Sequence, residues 1–289
     1  MKSVGILGAG VMGKEIAITC AAFNFDVVLC DSSAEVRDEL PRRLRSLIRG
    51  YRLMPDGPQW NVAEVLGRIT VTGHLQDLAG ATWLIENITE KREAKELLYQ
   101  SLAQYWAPGQ YLAINTSCIP ITRLAGLMPQ PERVVGMHFM NPVALVQGLE
   151  VIRGRCTDED TVSAACNLAT TLGKVPIVVS DQPGFVSNRL SHLFMNEAAF
   201  LVQEGVADAA SIDAIFRLGY GHRMGPLETA DLIGLDTVVD SLAVLYDEFQ
   251  DSKFRCCPLL KTMVAAGELG RKSGRGFYDH SEGRGDGAR

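Results

Sequence analysis

The chain has no apolar run approaching the roughly 20 residues that cross a bilayer, no excess of basic residues, and no two cysteines at C-x-x-C spacing. Each absence excludes something. Without a spanning run, and with a strand pattern at the very start where a signal peptide would show its own layout, a cytoplasmic protein with no membrane partner is expected. Acidic residues number 34 against 28 basic ones, a formal charge of −6. That argues against the broad basic surface needed for nonspecific binding to nucleic acid. The seven cysteines are odd in number. Most sit in apolar stretches such as Thr19-Cys20-Ala21 and Leu29-Cys30, where a thiol behaves as a small hydrophobe. Reduced thiols and no metal site are expected, and no internal repeat is found.

At 289 residues the chain has room for two modest domains. Val4 to Leu7 is a short apolar run, Val11 to Ala22 has helical character, and Val27 to Cys30 is a second run, together a β-α-β unit. Strand-like segments follow at Ile69-Thr70-Val71, Trp83-Leu84-Ile85, Tyr111 to Ile114, Val134-Val135-Gly136 and Ile177-Val178-Val179. They alternate with helical stretches, which implies a mainly parallel sheet covered on both faces. After Val179 the turn chemistry of Asp181-Gln182-Pro183-Gly184 intervenes. Beyond it only helical periods appear, through Leu201, Ala209 to Leu218, Asp236 to Phe249 and Leu259 to Ala266. The expected architecture is therefore α/β: an N-terminal Rossmann-type domain over 1–182, an all-helical domain over 183–280, and a glycine-rich, disordered tail over 281–289.

Between the first strand and first helix stands Gly8-Ala9-Gly10-Val11-Met12-Gly13. Bare glycines there let the backbone and the helix N-terminus approach a pyrophosphate. Alone the pattern is weak, and a tight strand-helix turn would explain it. The β-α-β setting and Asp31 strengthen it. Asp31 ends the second strand 18 residues after Gly13, where a carboxylate can accept both adenosine-ribose hydroxyls and repel a 2′-phosphate, favouring NAD over NADP. A helix cap before Ala34, shared with Ser32 or Ser33, is the competing reading of Asp31.

Oxidising a secondary alcohol requires removal of the hydroxyl proton as the hydride leaves, and imidazole suits that task. His138 is the candidate base. Glu150 follows twelve residues later, past the turn signal Asn141-Pro142, so a hairpin-like return could bring its carboxylate to the imidazole and fix the tautomer. The competing reading is a satisfied core histidine, although the other four histidines have no comparable setting. Ser117, in Asn115-Thr116-Ser117-Cys118, could serve chemistry or merely cap the helix beginning near Pro120. It lacks the G-x-S-x-G elbow of a hydrolase nucleophile. Read from the residues alone, Glu90 and Lys95 are a solvated helix-face pair.

With these motifs, and with Asp181 to Arg189, Gly225-Pro226 through Asp231, Gly234-Leu235-Asp236 and Lys272 to Tyr278, the chain resembles the 3-hydroxyacyl-CoA dehydrogenase family, including its short bacterial 3-hydroxybutyryl-CoA members. The resemblance covers nearly the whole length. It implies that His138 is the catalytic base and Glu150 its partner, with Ser117 and Asn188 bonded to the substrate oxygens. It also implies that Glu90, Lys95, Asn141 and Lys272 lie near the nicotinamide end of NAD. In relatives the helical domain closes the cleft and supplies a homodimer contact, for which Leu193, Phe194, Ala198, Leu201 and Val202 are the candidate stripe. An intradomain core is the competing reading. Gly225-Pro226 and Gly234-Leu235-Asp236 read as structural helix starts and turns.

Three departures from the family pattern bear on substrate. The stretch from Asn141 to Glu150 lacks the second proline and the lysine-valine approach to the glutamate, so the strand of Glu150 has room to sit differently. The helix from Pro41 to Arg52 replaces the serine and lysine that relatives use toward the CoA nucleotide with Arg42, Arg45, Arg49 and Arg52 on one face, Leu40, Leu44, Leu47, Ile48 and Tyr51 facing the core. That basic stripe suits CoA phosphates or an acidic acyl carrier protein, and an ordinary solvated face explains it equally. The stiff loop Met54-Pro55-Asp56-Gly57-Pro58, with Ile85-Glu86-Asn87 and Gly219 to Pro226, is similar to a branch that oxidises carrier-protein-bound three-carbon hydroxyacids for polyketide extender units.

The expected activity is reversible, NAD-dependent oxidation of the 3-hydroxyl of an acyl thioester. Rival handles are a carrier-protein thioester or a free hydroxyacid, as in gulonate-oxidising relatives. A non-catalytic NAD-binding scaffold is the rival of a different class.

Overall fold

A computed structural model of the chain describes residues 3–281; of the expected disordered tail, 282–289 lie outside the described residues. Residues up to Gln182 form one compact unit and those from Pro183 a second. Among the described residues no helix is long and apolar enough to cross a membrane.

The first unit is built on eight strands: β1 (Ser3–Leu7), β2 (Asp26–Cys30), β3 (Ile69–Thr72), β4 (Trp83–Glu86), β5 (Tyr111–Ile114), β6 (Val134–Phe139), β7 (Gly148–Arg153) and β8 (Val175–Ser180). Their spatial order is β3-β2-β1-β4-β5-β6-β7-β8. Every neighbouring pair is parallel except β6 and β7. All residues of β4 and β6 are buried, which requires cover on both faces and explains why these strands read as continuous apolar runs. The helices of this unit are α1 (Val11–Ala22), α2 (Ala34–Leu53), α3 (Val62–Gly67), α4 (Arg92–Leu102), α5 (Ile121–Ala125) and α6 (Glu159–Thr171). Ile16 and Ile18 of α1, Leu44 and Ile48 of α2 and Ala165 and Leu168 of α6 share a core with Val4, Leu29, Val135 and Val151 of the sheet.

Helix α2 carries Pro41 in its interior. It runs unbroken through that proline. Pro41 is exposed, so the carbonyl deprived of its helical partner can turn to water. Its cap is Ser33, whose side chain accepts from the Val36 N–H, and this leaves the Asp31 carboxylate for other work.

The second unit contains α7 (Ser187–Gln203), α8 (Ala209–Tyr220), α9 (Pro226–Ile233), α10 (Leu235–Phe249) and α11 (Pro258–Ala265). Its only β-type pairing among the described residues is the bridges Gly270–Arg275 and Arg275–Asp279. Gly225 and Pro226 do start a helix, α9, capped from α8 by the Asp213 carboxylate, which accepts from Leu227 N and Glu228 N at 2.9 and 2.8 Å. The Lys272–Tyr278 motif is a turn wrapped around Asp231, whose carboxylate accepts from Phe277 N and Tyr278 N. A Cβ on Gly276 would lie 2.1 Å from that carboxylate. The stripe assigned to a partner subunit needs correction at Ala198, which lies in this unit's own core with Met195, Leu227 and Leu242, while Leu201 and Val202 pack against that core. Spacings of three and four cannot distinguish an inward stripe from an outward one.

Candidate active site

The carboxyl ends of β1, β2, β4, β5 and β6 all carry residues singled out above, and the strand order reverses between β1 and β4. In open α/β sheets, ligands bind outside the strand ends at such a switch. The three glycines there do different things. Gly8 has φ +88°, a left-handed conformation that favours glycine. A Cβ on Gly13 would stand 1.8 Å from the Gly8 carbonyl oxygen, so helix and strand meet there without room for a side chain. Gly10 has nothing within 4 Å of its would-be Cβ. The space over Gly10 is thus open, α1 begins there without a side-chain cap, and Val11 is exposed beside it. Uncapped N–H groups over open space fit a pyrophosphate. Asp31 Oδ2 accepts from Ala9 N at 2.8 Å and Oδ1 from Ser33 N at 3.0 Å, which fixes the carboxylate at the edge of the same opening.

His138 and Glu150 stand directly opposite each other on antiparallel β6 and β7. Their side chains meet, His138 Nδ1 to Glu150 Oε2 at 2.8 Å, and both are buried. The approach from Asn141 to Leu149 therefore sets Glu150 opposite His138. A carboxylate at Nδ1 holds the ring in one orientation, directs Nε2 as the proton acceptor and stabilises the imidazolium.

Ser117 follows β5 in a loop gathered by one carboxylate. Glu90 Oε1 accepts from the Thr116 hydroxyl, from Ser117 N at 2.9 Å and from Cys118 N at 3.1 Å. Lys95 does not form the solvated helix-face pair with Glu90 that spacing suggests. Glu90 precedes α4, and the Lys95 side chain is wholly buried, bonded to both oxygens of Glu86 at 2.8 and 2.9 Å and 3.6 Å from Glu90 Oε2. Enclosed in this way, its ammonium supports Glu90 and Glu86 and has no surface to offer a ligand. Burial raises the Glu86 pKa and Lys95 opposes that rise. Asn115 ties three strand ends together, donating to Asn87 Oδ1 at 2.8 Å and accepting from Phe139 N at 3.0 Å. This brings the Ser117 loop alongside the residue after His138.

Two family models match the chain: the NAD-binding domain of 3-hydroxyacyl-CoA dehydrogenase over residues 3–182 and the C-terminal domain of 3-hydroxyacyl-CoA dehydrogenase over 184–280. The chain belongs to the 3-hydroxyacyl-CoA dehydrogenase family. It is 42% identical over 282 residues to a probable 3-hydroxybutyryl-CoA dehydrogenase of Bacillus subtilis, covering 98% of both chains. It is 41% identical to the 3-hydroxybutyryl-CoA dehydrogenase of Bradyrhizobium diazoefficiens, covering 97% of this chain and 96% of that one. The crystal structure of (S)-3-hydroxybutyryl-CoA dehydrogenase from Ralstonia eutropha superposes with a TM-score of 0.88 at 39% identity, covering 97% of this chain and 99% of that one.

As a member of the 3-hydroxyacyl-CoA dehydrogenase family the chain is an NAD-dependent oxidoreductase. Its remaining candidate residues lie as follows. Asn188 is in the first turn of α7, where its backbone carbonyl accepts from His192 at 2.8 Å. Lys272, in the turn after α11, pairs with Asp236 at the start of α10. On α2, Leu40, Leu44, Ile48 and Tyr51 are buried and Leu47 half-buried, while Arg42, Arg45, Arg49 and Arg52 are all exposed. Asn141 lies two residues past the end of β6, before a cis Asn141–Pro142 peptide.

Sequence reasoning passed over Glu15, Lys174 and the linking role of Asn115. A glutamate immediately before the mostly apolar run Ile16-Ala17-Ile18-Thr19-Cys20-Ala21 is the available signal for the first.

Proposed function

We propose that this dehydrogenase oxidises the 3-hydroxyl of a short 3-hydroxyacyl-CoA, with 3-hydroxybutyryl-CoA, the substrate in its relatives' names, as the first to test. NAD, when bound, supplies the hydride acceptor. His138 takes the hydroxyl proton through Nε2, and in the reverse direction returns it. Glu150 holds the ring at Nδ1 and stabilises its protonated form. Ser117 and Asn188 are assigned to the substrate oxygens. Glu90 keeps the Ser117 loop in place, and Lys95 acts through Glu90. Asp31 is assigned to the adenosine ribose, with Gly8 to Gly13 at the pyrophosphate and Asn141 and Lys272 toward the nicotinamide end.

The single observation that carries this reading is the 2.8 Å contact between His138 and Glu150 at the strand ends that also bear the glycine turn. We further assign residues 1–182 to cofactor binding and 183–280 to the substrate and a homodimer contact. Exposed Ile215, Leu218 and Tyr220 on α8 support the latter better than the stripe on α7.

A second reading keeps the chemistry and changes the handle to an acyl carrier protein. What favours it is α2, where four exposed arginines on one face stand out against a chain of net charge −6. NADH formation measured side by side with 3-hydroxybutyryl-CoA, carrier-protein thioesters and free hydroxyacids separates the readings. The CoA thioester is expected to give the highest kcat/KM, and no NADH from any thioester would refute the proposal.

A further inference from the structure

Glu15 is buried in the second turn of α1, 6% exposed, and neither proton nor hydride transfer calls for a carboxylate there. Its Oε2 accepts from Val143 N at 2.6 Å. The side-chain amide of Asn141, oriented with its nitrogen to the carboxylate, donates to Oε1 at 3.1 Å and to Oε2 at 3.2 Å. The opposite orientation would set oxygen against oxygen. From the turn before β8, buried Lys174 donates to the Val143 carbonyl and to the Val146 carbonyl, the latter at 2.7 Å. Val143 is thus gripped at its N–H by an acid and at its C=O by an ammonium. Burial lowers the Lys174 pKa and Glu15 opposes that shift, while Tyr51, beside the same carboxylate, is pushed up by burial and then by Glu15. Two buried ions persist only where each is well bonded, and here both are bonded to the loop that joins the His138 and Glu150 strands.

The consequence falls on Asn141. With its nitrogen committed to Glu15 and the residue itself exposed, oxygen is the atom left for a ligand. We infer that Glu15 is a positioning residue for the cofactor: by holding the Asn141 nitrogen it makes Asn141 an acceptor, suited to the amino group of the nicotinamide carboxamide, and with Lys174 it locks the loop from 141 to 146 onto the dinucleotide helix. The inference rests on the proposed place of Asn141 at the nicotinamide end.

Glu15→Gln tests it. The glutamine oxygen still accepts from Val143 N, but its nitrogen now faces Asn141, which must turn over and present a donor outward. NAD titrated calorimetrically into the protein without substrate should bind about tenfold more weakly, the cost of setting donor against donor. The unfolding midpoint should move by only a few degrees. In an Asn141→Ala background Glu15→Gln should cause no further loss. Asn141→Asp added to Glu15→Gln should recover affinity, because it accepts from Gln and again offers an oxygen. If Glu15→Gln alone proves insoluble, Glu15→Gln with Lys174→Met removes both buried charges and carries the same comparison. Unchanged NAD affinity in Glu15→Gln, or a loss that persists in the Asn141→Ala background, overturns the inference. Failure of the unaltered protein to bind NAD would instead overturn the cofactor reading, and this inference with it.

Discussion

Two histidine–carboxylate pairs in this molecule have the same separation and different surroundings. His138 meets Glu150 at 2.8 Å in the sheet unit, and His280 meets Asp231 at 2.8 Å in the helical unit. Asp231 already accepts from two consecutive backbone N–H groups and is wholly buried. Its histidine is one more strap on the turn from Gly270 to His280. Glu150 instead faces His138 across a strand pair whose end adjoins the Ser117 loop, at the carboxyl ends where the glycine turn also lies. A short contact between imidazole and carboxylate therefore does not mark chemistry by itself; what stands beside it does.

Substitution of the two histidines should separate the pairs by the widest margin. His138→Gln should lower kcat by about a thousandfold or more, with NAD affinity within about twofold by calorimetry. His280→Gln should leave kcat within about twofold and lower the unfolding midpoint by a few degrees, in line with about 1 kcal/mol for a lost hydrogen bond. Equal losses of turnover in the two variants would erase the distinction.

Smaller effects sharpen it. Asp31→Ala should weaken NAD binding about tenfold and shrink the preference over NADP, since its carboxylate no longer opposes a 2′-phosphate; an unchanged preference in paired titrations would remove Asp31 from the ribose. Glu90→Ala should release the Ser117 loop and reduce kcat about tenfold while shifting the KM for NAD less, as expected of a residue acting through another. Least of all, Arg42→Glu with Arg45→Glu should raise the KM for the preferred thioester about threefold at low salt, with the effect fading as salt rises. A KM indifferent to both charge and salt would leave α2 an ordinary solvated face.

Distance along the chain decides how much of each pair is legible in the sequence. The β-α-β start, the glycine turn and Asp31 are local in sequence, and local patterns report local structure. His138 and Glu150 were legible because one hairpin separates them and the register pairs them. His280 escaped notice as a second pair because Asp231 lies 49 residues away, beyond any spacing rule. The place of Lys95 is hidden for a related reason: a lysine near a glutamate suggests a solvated pair, while the carboxylate that Lys95 meets is that of Glu86, nine residues before it, which also accepts from Tyr99. Glu15 and Val143 are 128 residues apart, and only the folded sheet brings that glutamate to the loop it holds.

Glu150 is assigned the role of making His138 an effective base, and the decisive experiment on that role is single-turnover NADH formation from 3-hydroxybutyryl-CoA in Glu150→Gln, with NAD saturating. A rate about a hundredfold or more below that of the unaltered protein is expected, with NAD still bound. A rate equal to the unaltered protein's would contradict it.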